Sequence, residues 1–162
     1  MELEKKILSL IEQDAKLKPE TMAVMLDESI ETINGVLAKL ENDKIILGYN
    51  TIINWERLGA NGVTAMIEVK VTPEREVGFN SIAERIYRFP EVSSVYLMSG
   101  TYDLSVVVNA KSLKEIASFV SYKLSTLHEV QSTVTHFILK RYKQDGVIFE
   151  DPNEEKRLVV SP

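Results

Sequence analysis

The chain has 162 residues, 44% of them hydrophobic and 27% charged, with a net charge of −5. That length fits one domain or two small ones, and the composition is that of a soluble globular protein. The absence of cysteine excludes a disulfide framework, a thiolate metal site and a cysteine nucleophile. The charged start, Met1-Glu2-Leu3-Glu4-Lys5-Lys6, lacks the apolar core of a signal peptide, and no apolar run is long enough to cross a membrane. These features point to a cytoplasmic protein without a membrane partner. The acidic balance argues mildly against nucleic acid, because phosphate contacts supply most non-specific affinity. A dimer with a few well-placed cations weakens that objection.

Leu3, Ile7, Leu8, Leu10 and Ile11 recur at helical spacing, which predicts an amphipathic helix over about residues 2–13. Lys18-Pro19-Glu20 opens a second helix, with Pro at its first position and Met22, Ala23, Met25 and Leu26 facing inward. Ser29 caps a third helix, whose stripe is Ile33, Val36, Leu37 and Leu40. Two short strands are expected at 45–47 and 51–54, turning at Gly48-Tyr49-Asn50. Three helices with a tight second turn, followed by a small hairpin, are the order of a winged helix-turn-helix. The stretch from Trp55 to Gly62 reads as a linker.

Beyond it, residues 63–71 alternate as a strand, and Pro73 starts a helix expected to run to about Arg88, before Pro90. Val92 to Met98 and Leu104 to Val108 are strands around the turn Ser99-Gly100-Thr101-Tyr102-Asp103, where glycine's backbone freedom suits a tight reversal. Ser112 with Glu115 forms a capping box for the next helix. The last long strand is expected over 130–141, then a hairpin at Asp145-Gly146 into Val147 to Glu150, and a loop from Asp151 to Lys156. The order β-α-β-β-α-β is that of a ferredoxin-like sandwich. The fold class is therefore α+β. The expected domains are a winged helix-turn-helix over 1–54, a linker over 55–62, a ferredoxin-like domain over 63–144, and a hairpin and tail over 145–162.

The N-terminal pattern is Ile7-Leu8-x-Leu10, Met22-Ala23-x-x-x-Leu26, Ser29-x-x-x-Ile33, Leu37-x-x-Leu40-Glu41 and Ile45-Ile46-x-Gly48-Tyr49. Later come Gly100-x-x-Asp103 and Glu129-Val130-Gln131-Ser132-Thr133-x-Thr135. In order and spacing, over about residues 1–144, these resemble the Lrp/AsnC, or feast/famine, transcription regulators. The resemblance implies double-stranded DNA as a partner and an amino acid or related metabolite as effector, bound between subunits of neighbouring dimers. It also implies a homodimer built through the ferredoxin-like domains, sometimes assembled into octamers. One position departs from the family pattern. The third helix has Val36 where family members usually carry arginine, and Lys39 is the only base on its outer face.

Small residues let a helix approach base edges, Asn34 can pair with adenine, and Thr32 can touch a thymine methyl. Ser29 at the helix N-terminus can hold a phosphate, with Lys18, Lys39, Lys44, Tyr49 and Asn50 as further backbone contacts. For the turn, pattern alone fits an ordinary reversal as well as a binding site. As a site, its backbone N–H groups would hold a carboxylate and Asp103 an ammonium. Thr101 belongs to the same turn, Met98 and Tyr102 are wall or packing residues, and Gln131, Ser132, Thr133 and Thr135 offer polar partners from a neighbouring subunit. His128 and His136 lack metal-ligand spacing, so no metal or other cofactor is expected. No catalytic constellation stands out, so no enzymatic activity is expected. The alternative is a small-molecule-binding or assembly protein whose helix-turn-helix has lost DNA binding. Val36 motivates it, as do the 11 acids against 7 bases in residues 1–62.

Overall fold

The computed structural model describes residues 1–60, 62–73 and 78–149. The chain separates into two compact units, Met1–Ile53 and Asn54–Pro162.

The first unit holds helices α1 (Glu2–Gln13), α2 (Pro19–Leu26) and α3 (Ile30–Asn42). Their apolar faces meet at Ile7, Met22, Ala23 and Ile33, with Leu3, Leu10, Leu26, Val36 and Leu37 packed around them. Met25, expected inward, is 57% exposed, because the eight-residue α2 turns only Met22 and Ala23 fully to the core. The turn into α3 uses Asp27 in the left-handed conformation, with φ 55°. Aspartate tolerates that region better than most residues. The Glu28 N–H then returns to the Ala23 carbonyl at 3.0 Å, which satisfies a helix-end acceptor.

The expected strands at 45–47 and 51–54 do not form. Lys44 adopts a left-handed φ of 58°, and the N–H groups of Ile45 and Ile46 both bond the Leu40 carbonyl, at 2.9 and 3.1 Å. Donors used to close α3 are not available to a ladder.

The second unit is a four-stranded antiparallel sheet of β1 (Val63–Val71), β2 (Val92–Leu97), β3 (Leu104–Ala110) and β4 (Val130–Phe137), in the order β2-β3-β1-β4. Helices α4 (Asn80–Tyr87) and α5 (Leu113–Phe119) connect it, α5 continuing as a π-helical turn over Val120–Leu124. Ala65, Ile67, Val69 and Val71 alternate onto one face with Leu104, Val106 and Val108, under Ile82, Ile86, Ile116, Phe119 and Leu124. The opposite face carries Met66, Glu68 and Lys70 beside Ser105, Val107, Ser132, Val134 and His136. Helices on one side and two interlocked β-α-β connections are the ferredoxin-like arrangement expected from the element order.

Several boundaries differ from expectation, among them the end of β3, which runs to Ala110 rather than Val108. Helix α4 begins at Asn80 rather than Pro73, because Gly78 takes φ 66°, which no right-handed helix accommodates. Glu74 to Val77 of that expected helix lie outside the described residues. Strand β4 ends at Phe137, opposite Ala65, rather than at Arg141; the Ile138 N–H still bonds the Thr64 carbonyl at 2.9 Å, but β1 begins at Val63 and leaves residues past Leu139 without a partner on that strand. Strand β2 ends at Leu97, one residue before Met98. Ser112 caps α5 as expected, accepting from the Glu115 N–H at 3.3 Å, but the Glu115 carboxylate reaches the Lys111 N–H, one residue upstream of the capping-box donor. Asp145 (φ 47°) and Gly146 (φ 83°) form the hairpin between β5 (Lys143–Gln144) and β6 (Val147–Ile148), the two-residue turn that left-handed residues favour. Residues 150–162, with the expected loop from Asp151 to Lys156, lie outside the described residues.

Candidate DNA-binding and effector sites

Helix α3 starts with its cap made. The Ser29 hydroxyl accepts from the Thr32 N–H at 3.0 Å and lies 2.8 Å from the Thr32 hydroxyl. The Thr32 hydroxyl is thus engaged in the cap, while Thr32 itself, Asn34, Gly35 and Ala38 are exposed. A β-carbon added at Gly35 would meet nothing within 4 Å, so nothing inside the chain requires glycine there. Gly35→Ala is expected to stabilise the unit by about 1 kcal/mol, the helix-propensity difference. If α3 lies against base edges, the same change weakens DNA binding. Thermal melting and a binding titration on one protein sample check both signs.

The candidate cations differ in state. Lys18 (before α2) and Lys44 (after α3) are exposed, and Asn50 is exposed beyond them. Lys39 is engaged: its Nζ lies 2.7 Å from Glu4 Oε1 of α1. The Glu4 hydrogen bond holds the Lys39 ammonium above the usual lysine range, and the same bond holds the Glu4 carboxyl below the carboxylate range. The Tyr49 hydroxyl donates to Glu41 Oε1 at 2.8 Å. Burial, then that carboxylate, push its pKa up. Tyr49 is therefore tied back to α3, although no wing strand forms. Val36, where arginine is usual in the resemblance, is half-buried against the helical core rather than on the outer face.

In the second unit, the Met98 N–H bonds the Asp103 carbonyl at 2.8 Å, which closes a loop over Ser99, Gly100, Thr101 and Tyr102. A loop of this length reverses the chain without left-handed residues, and Gly100 does not have a positive φ. Glycine's backbone freedom therefore does not explain residue 100, and a β-carbon there would meet nothing within 4 Å. Gly100 and Thr101 are exposed, Met98 is 40% exposed, and Tyr102 and Asp103 are half-buried.

Asp103 has a role inside the subunit. Its Oδ2 accepts from the Val71 N–H at 2.9 Å, and its own N–H bonds the Val69 carbonyl at 3.1 Å. The need for this acceptor arises because β3 begins at Leu104, opposite Val69, so the Val71 N–H two residues on has no ladder acceptor on that side. The start of β4 is anchored on the other side of the same strand end. Gln131 Nε2 donates to Thr72 Oγ1 at 2.6 Å, and the Thr72 N–H bonds the Glu129 carbonyl at 2.8 Å. The turn and the start of β4 thus lie at one end of the sheet with only β1 between them, about 10 Å apart at two strand spacings. The four β4 candidates do not share a face. Thr133 and Thr135 pair with Val69 and Ile67 and are half-buried on the helix side, whereas Ser132 pairs with Lys70 on the open face.

Sequence reasoning gives no hint of two contributors here, Thr72 and the Val71 N–H, and it gives the buried Glu129 of the β4 motif no role. The Glu129 side chain is 3% exposed, ion-paired with Arg85 of α4, with His128 Nδ1 3.3 Å from its other oxygen. No local pattern links residues this far apart in the chain. Among the described residues no group of three His, Asp or Glu is placed to hold a metal, and no helix is long and apolar enough to cross a membrane.

The family described as the Lrp/AsnC ligand binding domain matches residues 64–148. The chain is 52% identical over 162 residues to an uncharacterised HTH-type transcriptional regulator, YugG of Bacillus subtilis, covering 99% of this chain and 98% of that one. It is 33% identical over 144 residues to an HTH-type transcriptional regulator of Pyrococcus furiosus, covering 89% and 94%. In structure it is similar to a Neisseria meningitidis transcriptional regulator solved with L-Met, with a TM-score of 0.72 and 22% identity, covering 89% of this chain and 92% of that one.

Proposed function

This chain belongs to the Lrp/AsnC family of HTH-type transcriptional regulators, and from that premise we propose that it reads specific duplex DNA through α3 and is regulated by an amino acid bound at the β2–β3 turn. The observation that carries the effector half is the convergence of the Gly100–Asp103 turn and the start of β4 at one end of the sheet. A free amino acid needs an anion site and a cation site a few ångströms apart. Exposed turn N–H groups serve the carboxylate, and the Asp103 carboxylate serves the ammonium. The L-Met complex of the Neisseria protein supports an amino acid as the class of ligand. Gln131, Ser132, Thr133 and Thr135 of a neighbouring subunit complete the site in this reading.

The assembly is a homodimer, with an octamer of four dimers as the larger form. The open sheet face supports it. Met66 is 37% and Val134 52% exposed beside Val107, a mixed surface suited to a second copy of the same sheet. Paired α3 helices then enter successive major grooves of a pseudo-palindromic site. The effector acts by binding one arrangement of dimers better than another, which shifts helix spacing and DNA affinity. Such a regulator works in the compartment that holds the DNA, the cytoplasm of a bacterial or archaeal cell, and carries out no chemistry of its own.

The loss-of-binding alternative draws on the Glu4–Lys39 pair and the acidic α3 surface. Its other motive is weaker, because Val36 packs against the core. A gel shift on the gene's own upstream DNA, at low salt and across a panel of amino acids, decides between them. A shift that one amino acid strengthens or weakens is the expected result. No shift under any condition overturns the DNA reading.

A further inference from the structure

The cation best placed on α3 is held by the protein's own carboxylate. Lys39 and Glu4 are 35 residues apart in sequence, yet Nζ and Oε1 are 2.7 Å apart. The two ends are unequally free: the Glu4 side chain is 23% exposed and the Lys39 side chain 62%. Glu4 sits in the first turn of α1, where a carboxylate is favoured by the helix dipole, and its Oε2 lies 3.2 Å from the Met1 amino group. The carboxylate is therefore the fixed partner, and the ammonium on its flexible stem is the mobile one. Lys39 is two helical turns from Thr32, on the same flank of α3. It is also the only base on that helix, which carries the acids Glu31 and Glu41. A carboxylate offers the ammonium the same oxygen chemistry as a phosphate diester.

We propose that Glu4 is an internal competitor for the DNA backbone, holding Lys39 away from phosphate and thereby lowering both the affinity of α3 for duplex DNA and its dependence on salt. The proposal rests on the reading of α3 as the DNA-binding helix and adds a determinant outside it. Each protein–phosphate contact formed releases condensed counterions, so it adds about 0.9 to the slope of log affinity against log salt. A lysine that must first leave a carboxylate adds less than that. Glu4 is thus a positioning residue: it touches no DNA and acts through Lys39.

The test uses the full chain and two duplexes, the gene's own upstream DNA and an unrelated sequence. Affinities are measured from about 50 to about 200 mM salt. Glu4→Gln is expected to tighten binding to both duplexes, for each α3 engaged, by about tenfold at the low end and about threefold at the high end, with the slope steeper by about 0.9 per α3. Lys39→Gln in the Glu4→Gln background is expected to remove that gain and return the slope to that of Lys39→Gln alone. Glu4→Ala repeats the measurement in case the glutamine finds a new partner, and circular dichroism verifies that each variant is folded. A folded Glu4→Gln protein with unchanged affinity and slope overturns the proposal and leaves the pair as a strut between α1 and α3. Absence of binding by every variant, wild type included, overturns the DNA reading itself and the competition with it.

Discussion

Asp103→Asn is expected to keep the fold and lose the effector response, whereas Asp103→Ala is expected to damage both. In the proposed site the carboxylate has two tasks, one on each oxygen. Oδ2 accepts the Val71 N–H, which has no ladder acceptor on the β3 side. Alanine leaves that half-buried donor without its acceptor, a loss of about 1–3 kcal/mol, and loosens the turn from the strand. Asparagine retains an acceptor oxygen and removes only the charge. Losing a charge-assisted bond to the ligand ammonium then weakens effector binding by roughly 10- to 100-fold, the equivalent of about 1.5–3 kcal/mol. Urea unfolding and calorimetric titration with the responding amino acid separate the two effects. Full effector affinity in Asp103→Asn returns the side chain to a purely structural role.

Arg85→Met is expected to cost about 3 kcal/mol of unfolding free energy, at the low end for a broken buried ion pair because Arg85 itself is 44% exposed. Its partner is the sensitive side. The Glu129 side chain is 3% exposed, and its Oε2 is buried with no hydrogen bond. Without the guanidinium, the carboxylate stays in the interior with only His128 beside it. The double variant Arg85→Met/Glu129→Leu is expected to recover most of the loss, because removing both charges also removes the desolvation penalty. Glu129 directly precedes β4, so the single variant also disturbs the strand that carries Gln131 to Thr135. Denaturant unfolding of the two single variants and the double tests this cycle. A double variant as unstable as Arg85→Met shows that packing, not charge, sets the cost.

The places where the fold departs from the sequence pattern share a cause. The β-branched run at Ile45-Ile46 and Thr51 to Ile53 has strand composition, but the N–H groups of Ile45 and Ile46 are used on the Leu40 carbonyl. Helical spacing continues through Pro73 to Arg88, but one left-handed glycine, Gly78, sets the start of α4. Gly100 has the composition of a tight reversal, but its φ is not positive. In each case the composition was compatible with the expected element, and a hydrogen bond or a single dihedral decided otherwise.

What the sequence determined by itself is the part governed by local periodicity and local donors. The ends of α1 and β1, the Ser29 and Ser112 caps and the Asp145-Gly146 turn all follow from residues within a few positions of one another. The order of elements, and with it the ferredoxin-like class, follows from the same patterns. Only the tertiary structure decided which side chains are already occupied: Lys39 by Glu4, Asp103 by the Val71 N–H, Glu129 by Arg85. Those pairs join residues 32 or more positions apart, and their formation depends on how helices and strands pack. A charge or a carboxylate looks equally available in a sequence whether it faces solvent or a partner, because burial and distance exist only once the chain has folded.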